Sequence, residues 1–159
     1  MKKLKLYIET SVWGFLFADD ALEKKAATEL FFNEIEYGNY EIFVSETVNE
    51  EIRFAPGAKR EILFELIRKY DPVLLEKDEE VQYLAEMYVK NGVLTEKHFN
   101  DLLHLAYSSI YGMNALISWN LTHIVKMGTQ DLCNSTNLAL GYHTIQVRTP
   151  QEVVKVEKN

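Results

Sequence analysis

Four polar positions, far apart in the chain, fall where strand-like segments end. Glu9 directly follows the run Leu4-Lys5-Leu6-Tyr7-Ile8. Glu46, Glu50 and Glu51 lie in a helix-forming stretch that follows Tyr40-Glu41-Ile42-Phe43-Val44. Asp101 sits in the helix-forming segment before Asn114-Ala115-Leu116-Ile117-Ser118, and Asn120 comes just after it. Acids gathered from such positions repel one another by ~4 kcal/mol per pair at ~4 Å with an effective dielectric of ~20, so they stay ionised together only around a cation. Mg²⁺ and Mn²⁺ suit oxygen ligands, lower the pKa of a bound water and neutralise phosphate oxygens, which is the chemistry of metal-assisted phosphodiester cleavage. A plainer reading stands beside this one. The chain has 24 acidic residues, most of which must be solvated surface; Glu9 alone suits a helix start, and Glu51 alone an exposed helical face. Asp101 borders an apolar stripe of Leu102, Leu105 and Ala106, which sets it at the rim of whatever that helix buries.

The elements that must position these residues alternate. Strands are expected over Lys3–Ile8, Tyr40–Val44, Pro72–Leu75, Asn114–Ser118 and Tyr142–Val147. Helices are expected over a turn or two after Thr10-Ser11, then Ala21–Tyr37, Ser45–Ile52, Lys59–Tyr70, Asp78–Lys90, Thr95 to about Tyr111, Asn120–Val125, Asp131–Leu140 and from Thr149-Pro150. Alternation of this kind predicts an α/β fold: three α/β/α layers around a central parallel sheet of about five strands. Ligands of such sheets bind outside the carboxyl ends of the strands, where the strand order reverses.

At 159 residues the sequence holds one domain, 1–159, with its core over about residues 4–154 and a frayed tail from Lys155 to Asn159. The lone Cys133 excludes an internal disulfide and a thiolate metal site, and reads as a packing residue in a reducing compartment. No segment reaches the ~20 apolar residues of a membrane span, and Met1-Lys2-Lys3 leads into a strand rather than a leader peptide, so a cytoplasmic location is expected. The formal charge of −7 runs against the basic footprint usual for nucleic-acid binding, and a concentrated carboxylate site or a basic partner protein would account for it.

Tyr7-Ile8-Glu9-Thr10-Ser11-Val12 resembles the opening motif of PIN domains, a strand ending in an acid followed by a hydroxyl pair. Ser45-Glu46-Thr47-Val48-Asn49-Glu50-Glu51-Ile52 resembles their second motif, with Glu51 in register and Glu50 one residue away. Asn100-Asp101-Leu102-Leu103-His104-Leu105-Ala106 is similar to the third, and Ile117-Ser118-Trp119-Asn120-Leu121-Thr122-His123-Ile124 to the fourth; the ordered set spans about residues 4–154. The resemblance implies a Mg²⁺- or Mn²⁺-dependent endoribonuclease whose catalytic and metal-binding residues are Glu9, Glu51, Asp101 and Asn120. It also implies a toxin of the VapC type, dimeric, acting on RNA and neutralised by a small antitoxin. Two positions depart from the pattern: Glu9 replaces the usual aspartate and extends the carboxylate by about 1.5 Å, and Asn120 supplies an amide where many members carry aspartate. A degenerate module that binds RNA or a protein without cutting is the alternative.

Auxiliary candidates are Thr10, as a hydroxyl donor or helix cap, His104, as a hydrogen-bond partner of Asp101 or a satisfied core histidine, and His123, as a phosphate or structural contact. Asn134 and Asn137 are candidates to approach from the following helix. The dispersed glycines form no phosphate loop, and no serine has the Gly-x-Ser-x-Gly setting of a hydrolase.

Overall fold

The computed structural model describes residues 2–154. The expected tail lies outside them. A five-stranded sheet, every neighbouring pair parallel, runs in the order β3-β2-β1-β4-β5, with β1 Leu4–Ile8, β2 Tyr40–Ser45, β3 Val73–Leu75, β4 Ala115–Ile117 and β5 Gln146–Arg148. The helices are α1 Thr10–Phe15, α2 Leu22–Glu36, α3 Glu46–Arg53, α4 Gly57–Tyr70, α5 Glu79–Lys90, α6 Phe99–Ile110, α7 Met127–Ala139 and α8 Pro150–Val153. They flank the sheet in a three-layer α/β/α arrangement: α5 packs on α6 and α7, while α2 packs on α1 and α8. The expected fold class is the one observed.

β1 lies between β2 and β4, so it is covered from all sides and Leu6, Tyr7 and Ile8 are buried in succession. The chain winds outward from β1 to β2 and β3, then returns to place β4 on the other flank of β1. The strand order therefore reverses between β1 and β4, and their carboxyl ends open the crevice expected of such a reversal. Asp71 closes α4 in the left-handed region (φ 48°), a conformation aspartate tolerates, and the following Pro72 keeps it out of the helical region.

Four elements differ from the sequence expectation. Asn120–Val125 is a single turn, because both the Ile124 and Val125 N–H groups donate to Asn120 O while the His123 N–H donates to the Asn120 side chain. The helix expected from Asp131 begins at Met127, with Gly128 accommodated in its first turn. The strand expected over Tyr142–Val147 shrinks to Gln146–Arg148: Asn134 bonds both the N–H and the carbonyl of Ile145, and Asn137 donates to His143 O, so α7 side chains take the place of a ladder. The helix expected from Thr95 opens as a 3₁₀ turn, Glu96–His98, before α6. Burial on α6 is also wider than a stripe, with every residue from Leu102 to Ser109 buried, because α3, α5 and β4 all pack against it.

Candidate active site

Glu9 ends β1 and caps α1. Its N–H continues the ladder to Ile117 O at 3.0 Å, which fixes the residue against β4. Its carboxylate is buried and accepts three hydrogen bonds: Ser118 Oγ (2.5 Å) and Ser11 Oγ (2.6 Å) on Oε1, and Ser11 N–H (3.1 Å) on Oε2. Ser118 follows β4, so the two strands flanking the crevice are joined through this carboxylate.

Ser45 ends β2 and its Oγ accepts from Val48 N–H, starting α3. One and a half turns on, Glu51 faces the crevice, whereas Glu50 is exposed and Glu46 accepts from Lys77 N–H at 2.6 Å. The structure thus brings in Glu51, not its neighbour. Its Oε1 accepts from Thr10 Oγ1 at 2.5 Å and contacts His104 Nε2 at 2.8 Å, and Oε2 takes a long bond from Asn100 Nδ2 at 3.5 Å. Burial pushes the Glu51 carboxyl upward, but the hydrogen bond and charge of His104, with Thr10 and Asn100, outweigh it and hold the carboxyl below its ordinary value.

His104 is fully buried on α6. Its Nδ1 meets Tyr7 OH at 2.6 Å, and Tyr7 OH meets Ser45 Oγ at 2.7 Å, so a polar chain runs from Glu51 under the sheet to the cap of α3. Burial disfavours the imidazolium, yet Glu51 and then Glu9 and Asp101 overcome that and raise the His104 pKa. The partner of His104 is Glu51 rather than Asp101, correcting one of the two expectations for this residue: Glu51 reaches the imidazole edge from α3.

Asp101 opens α6 with its side chain 17 % exposed, 4.0 Å from His98 Nδ1. No hydrogen-bond donor among the described residues occupies its carboxylate. Its pKa is raised by burial, then opposed by His104, and raised further by the charges of Glu9 and Glu51. The Asn120 amide oxygen accepts His123 N–H at 3.0 Å, and Asn120 N–H donates to the Ser118 hydroxyl at 2.9 Å, placing the residue one hydrogen bond from the group that holds Glu9. The His123 ring lies tilted by 31° against His98 with centroids 3.8 Å apart, and His98 is 4.0 Å from Asp101.

Ligand-type atoms of Glu9, Glu51 and His104 lie within 4.8 Å of one another. His104 is a poor third ligand, since both ring nitrogens are already engaged by Glu51 and Tyr7 and the ring has no exposure. The oxygens fit a hard cation better: Glu9 Oε2 carries one bond, Glu51 Oε2 one long bond, and Asp101 none. The Asp101 carboxyl is raised first by burial and further by the Glu9 and Glu51 charges, and a bound cation would offset both effects. Asn134 and Asn137 lie away from this site, because both are consumed in fixing the loop before β5. Asn100 and Ser118 hold site carboxylates, and nothing in their residue types marked them apart from their adjacency to Asp101 and Asn120.

Comparison with protein-family models, with curated proteins and with solved structures gives no match to this chain.

Proposed function

We propose that the chain is a divalent-metal-dependent endoribonuclease of the PIN-domain kind, with Glu9, Glu51, Asp101 and Asn120 as its site. The observation that supports this most is the convergence of Glu9 and Glu51, 42 positions apart, with His104, their ligand-type atoms within 4.8 Å of one another at the crevice where the strand order reverses. Asp101 is near enough for the charges of both acids to raise its pKa. Mg²⁺ or Mn²⁺ bound there would acidify an attacking water and neutralise charge on the phosphate. The protein's part is to hold the carboxylates ready. Glu9 is fixed by Ser11 and Ser118, Glu51 by Thr10 and His104, and Asp101 stays ionisable at the solvent edge. Labelled single-stranded RNA incubated with the chain and millimolar Mn²⁺ is expected to be cut, and EDTA to stop the cutting.

A second reading, an idle site on a module that binds RNA or protein, draws on the two donors already on each of Glu9 Oε1 and Glu51 Oε1, and on the uncharged Asn120. Bound but intact RNA in the same assay favours it. A toxin role, an antitoxin partner, a homodimer and a cytoplasmic location belong to the same proposal. Among the described residues no helix is long and apolar enough to cross a membrane.

Two expected results bear on the cation alone. At ~100 times its dissociation constant, Mn²⁺ binding only the folded chain adds about 2.7 kcal/mol, which in a domain of this size raises the thermal midpoint by about 5–10 °C over EDTA. An unmoved midpoint at millimolar Mn²⁺ argues against any metal site. Asn120→Asp keeps the turn cap, since aspartate caps as well as asparagine, and adds an anionic oxygen. Titration should then show several-fold tighter Mn²⁺ binding, with an apo stability lower by ~1 kcal/mol from added repulsion; identical affinities would remove Asn120 from the site.

A further inference from the structure

Beside the carboxylates lies a cavity of about 580 Å³, within the ~300–1,000 Å³ range of small-ligand sites. Its wall begins with Thr10, Ser11 and Glu51, so it is continuous with the candidate active site, and continues over Phe15, Phe17, Lys24 and Lys59. The two lysines are notable in a chain of charge −7. The ion pairs among the described residues are Lys25–Asp19, His98–Asp101 and His104–Glu51; Lys24 and Lys59 are in none of them. Lys24 is also fixed in place: its ammonium sits 5.2 Å from the Phe15 ring and 5.6 Å from the Trp119 ring, and Trp119 is tied to Thr28 on the same helix by a 2.8 Å hydrogen bond. Phe17, 40 % exposed, lines the cavity.

We propose that this cavity holds a nucleotide of single-stranded RNA next to the scissile phosphate, with Lys24 and Lys59 on its backbone phosphates and Phe17 against its base. The assignment rests on the nuclease reading of the neighbouring carboxylates. Unpaired ammonium groups beside an aromatic face are the two components of sequence-tolerant single-strand binding, and a base stacks on either face of an exposed ring. A purely apolar protein segment would leave the charges of Lys24 and Lys59 without a carboxylate or phosphate to pair with, which disfavours it as the occupant. Asp20, also on the wall, opposes the anion and limits affinity.

The test measures binding apart from cleavage. A fluorescein-labelled single-stranded RNA ten-mer is titrated with the full chain in EDTA by anisotropy, over a range of salt. Lys24→Gln and Lys59→Gln are each expected to weaken binding at least 3-fold and to reduce the slope of log K against log salt by about 0.7, the value for one lost phosphate contact on a single strand. Phe17→Ala should weaken binding 5-fold or more with the slope unchanged, and Asp20→Asn should tighten it. Lys2→Gln, at the amino end of β1 and so at the opposite end of the sheet, should change neither. Equal slopes for parent, Lys24→Gln and Lys59→Gln overturn the assignment and leave the cavity to a protein partner. An equal loss with Lys2→Gln also overturns it, since binding is then diffuse. If the parent cuts RNA while the slopes stay equal, the subsite fails and the nuclease reading stands. If the slopes fall as expected but no Mn²⁺-dependent cutting occurs, the subsite stands and the nuclease reading fails.

Discussion

Asp101→Asn is expected to lower RNA cleavage by ~100-fold or more while leaving the fold intact and raising its stability without metal. On the proposed nuclease reading, the loss of activity follows from removing an anionic oxygen at the crevice, where electrostatic stabilisation by a bound cation would be worth several kcal/mol and each 1.36 kcal/mol is tenfold in rate. The gain in stability follows from the environment of Asp101. Its folded pKa is raised by burial and then by the Glu9 and Glu51 charges, so the native chain holds the proton more tightly than the unfolded chain. Stability therefore falls as pH rises from the ordinary aspartate range through that raised value, and stays lower above it. Asparagine removes this effect. In EDTA the variant should melt above the parent at neutral pH, the difference should fade towards the ordinary pKa of 3.8, and Mn²⁺ should stabilise it less than the parent. An active variant in a nuclease-free preparation would sink the assignment. Reduced activity with an unchanged response to Mn²⁺ would move Asp101 from ligand to substrate contact.

The pairing of lost function with gained stability is what separates a site residue from a surface acid. Most of the 24 acidic residues should show neither effect. It also bears on the charge of the chain. Among the described residues no lysine is paired with the acids brought to the crevice: their basic contacts are His104, 2.8 Å from Glu51, and His98, 4.0 Å from Asp101, while Lys24 and Lys59 stand on the wall of the adjoining cavity.

The strands and most helices are legible in the sequence because each carries its own signal. Leu4–Ile8 and Tyr40–Val44 are short β-rich runs, Ser45 and Thr149 are side-chain caps the structure uses, and Gly38 and Gly141 (φ 82° and 87°) stop helices in the left-handed region. Elements whose form depends on distant partners are not legible. The loop before β5 reads as strand locally, and only the amides of Asn134 and Asn137, one helix away, show that its backbone is satisfied elsewhere. The turn at Asn120 reads as helix until its side chain is seen taking the His123 N–H. At the site, position alone offers Glu9, the trio Glu46, Glu50 and Glu51, and Asp101 in the helix before β4; the motif register selects Glu51 from the trio, and in the structure Glu51 is the one of the three that contacts His104. The pairing of His104 is a tertiary fact: on one helical face Asp101 is its neighbour by spacing, but Glu51 reaches its ring from α3. Tyr7 is hidden for the same reason, because a buried tyrosine in β1 looks like packing until its hydroxyl meets Ser45 and His104.

His104→Ala should be the most damaging substitution to the fold. It removes a fully buried ring, leaves a void beneath the sheet, and strips partners from Tyr7 OH and Glu51 Oε1 at once. Breaking a buried hydrogen-bonded charge pair from one side costs about 3–5 kcal/mol, which here lowers the midpoint by about 6–20 °C. His104→Gln can still donate towards Glu51 and should recover part of the loss, which separates the polar contact from volume alone. The pH dependence gives a second readout. His104 has a raised folded pKa: burial works against it, but Glu51 prevails, so its contribution is full below the ordinary value of 6.5 and is lost as pH rises through the raised one. Glu51 has a lowered folded pKa, held down by His104 against the effect of burial, so its contribution is full above 4.5 and is lost as pH falls through the lowered value. The stability difference between parent and His104→Gln should therefore be greatest between about pH 4.5 and 6.5 and shrink on both sides. A difference flat from pH 4 to 9 would mean that His104 is held as a neutral packing residue, and that Glu51 owes its ionisation to Thr10 and Asn100 instead.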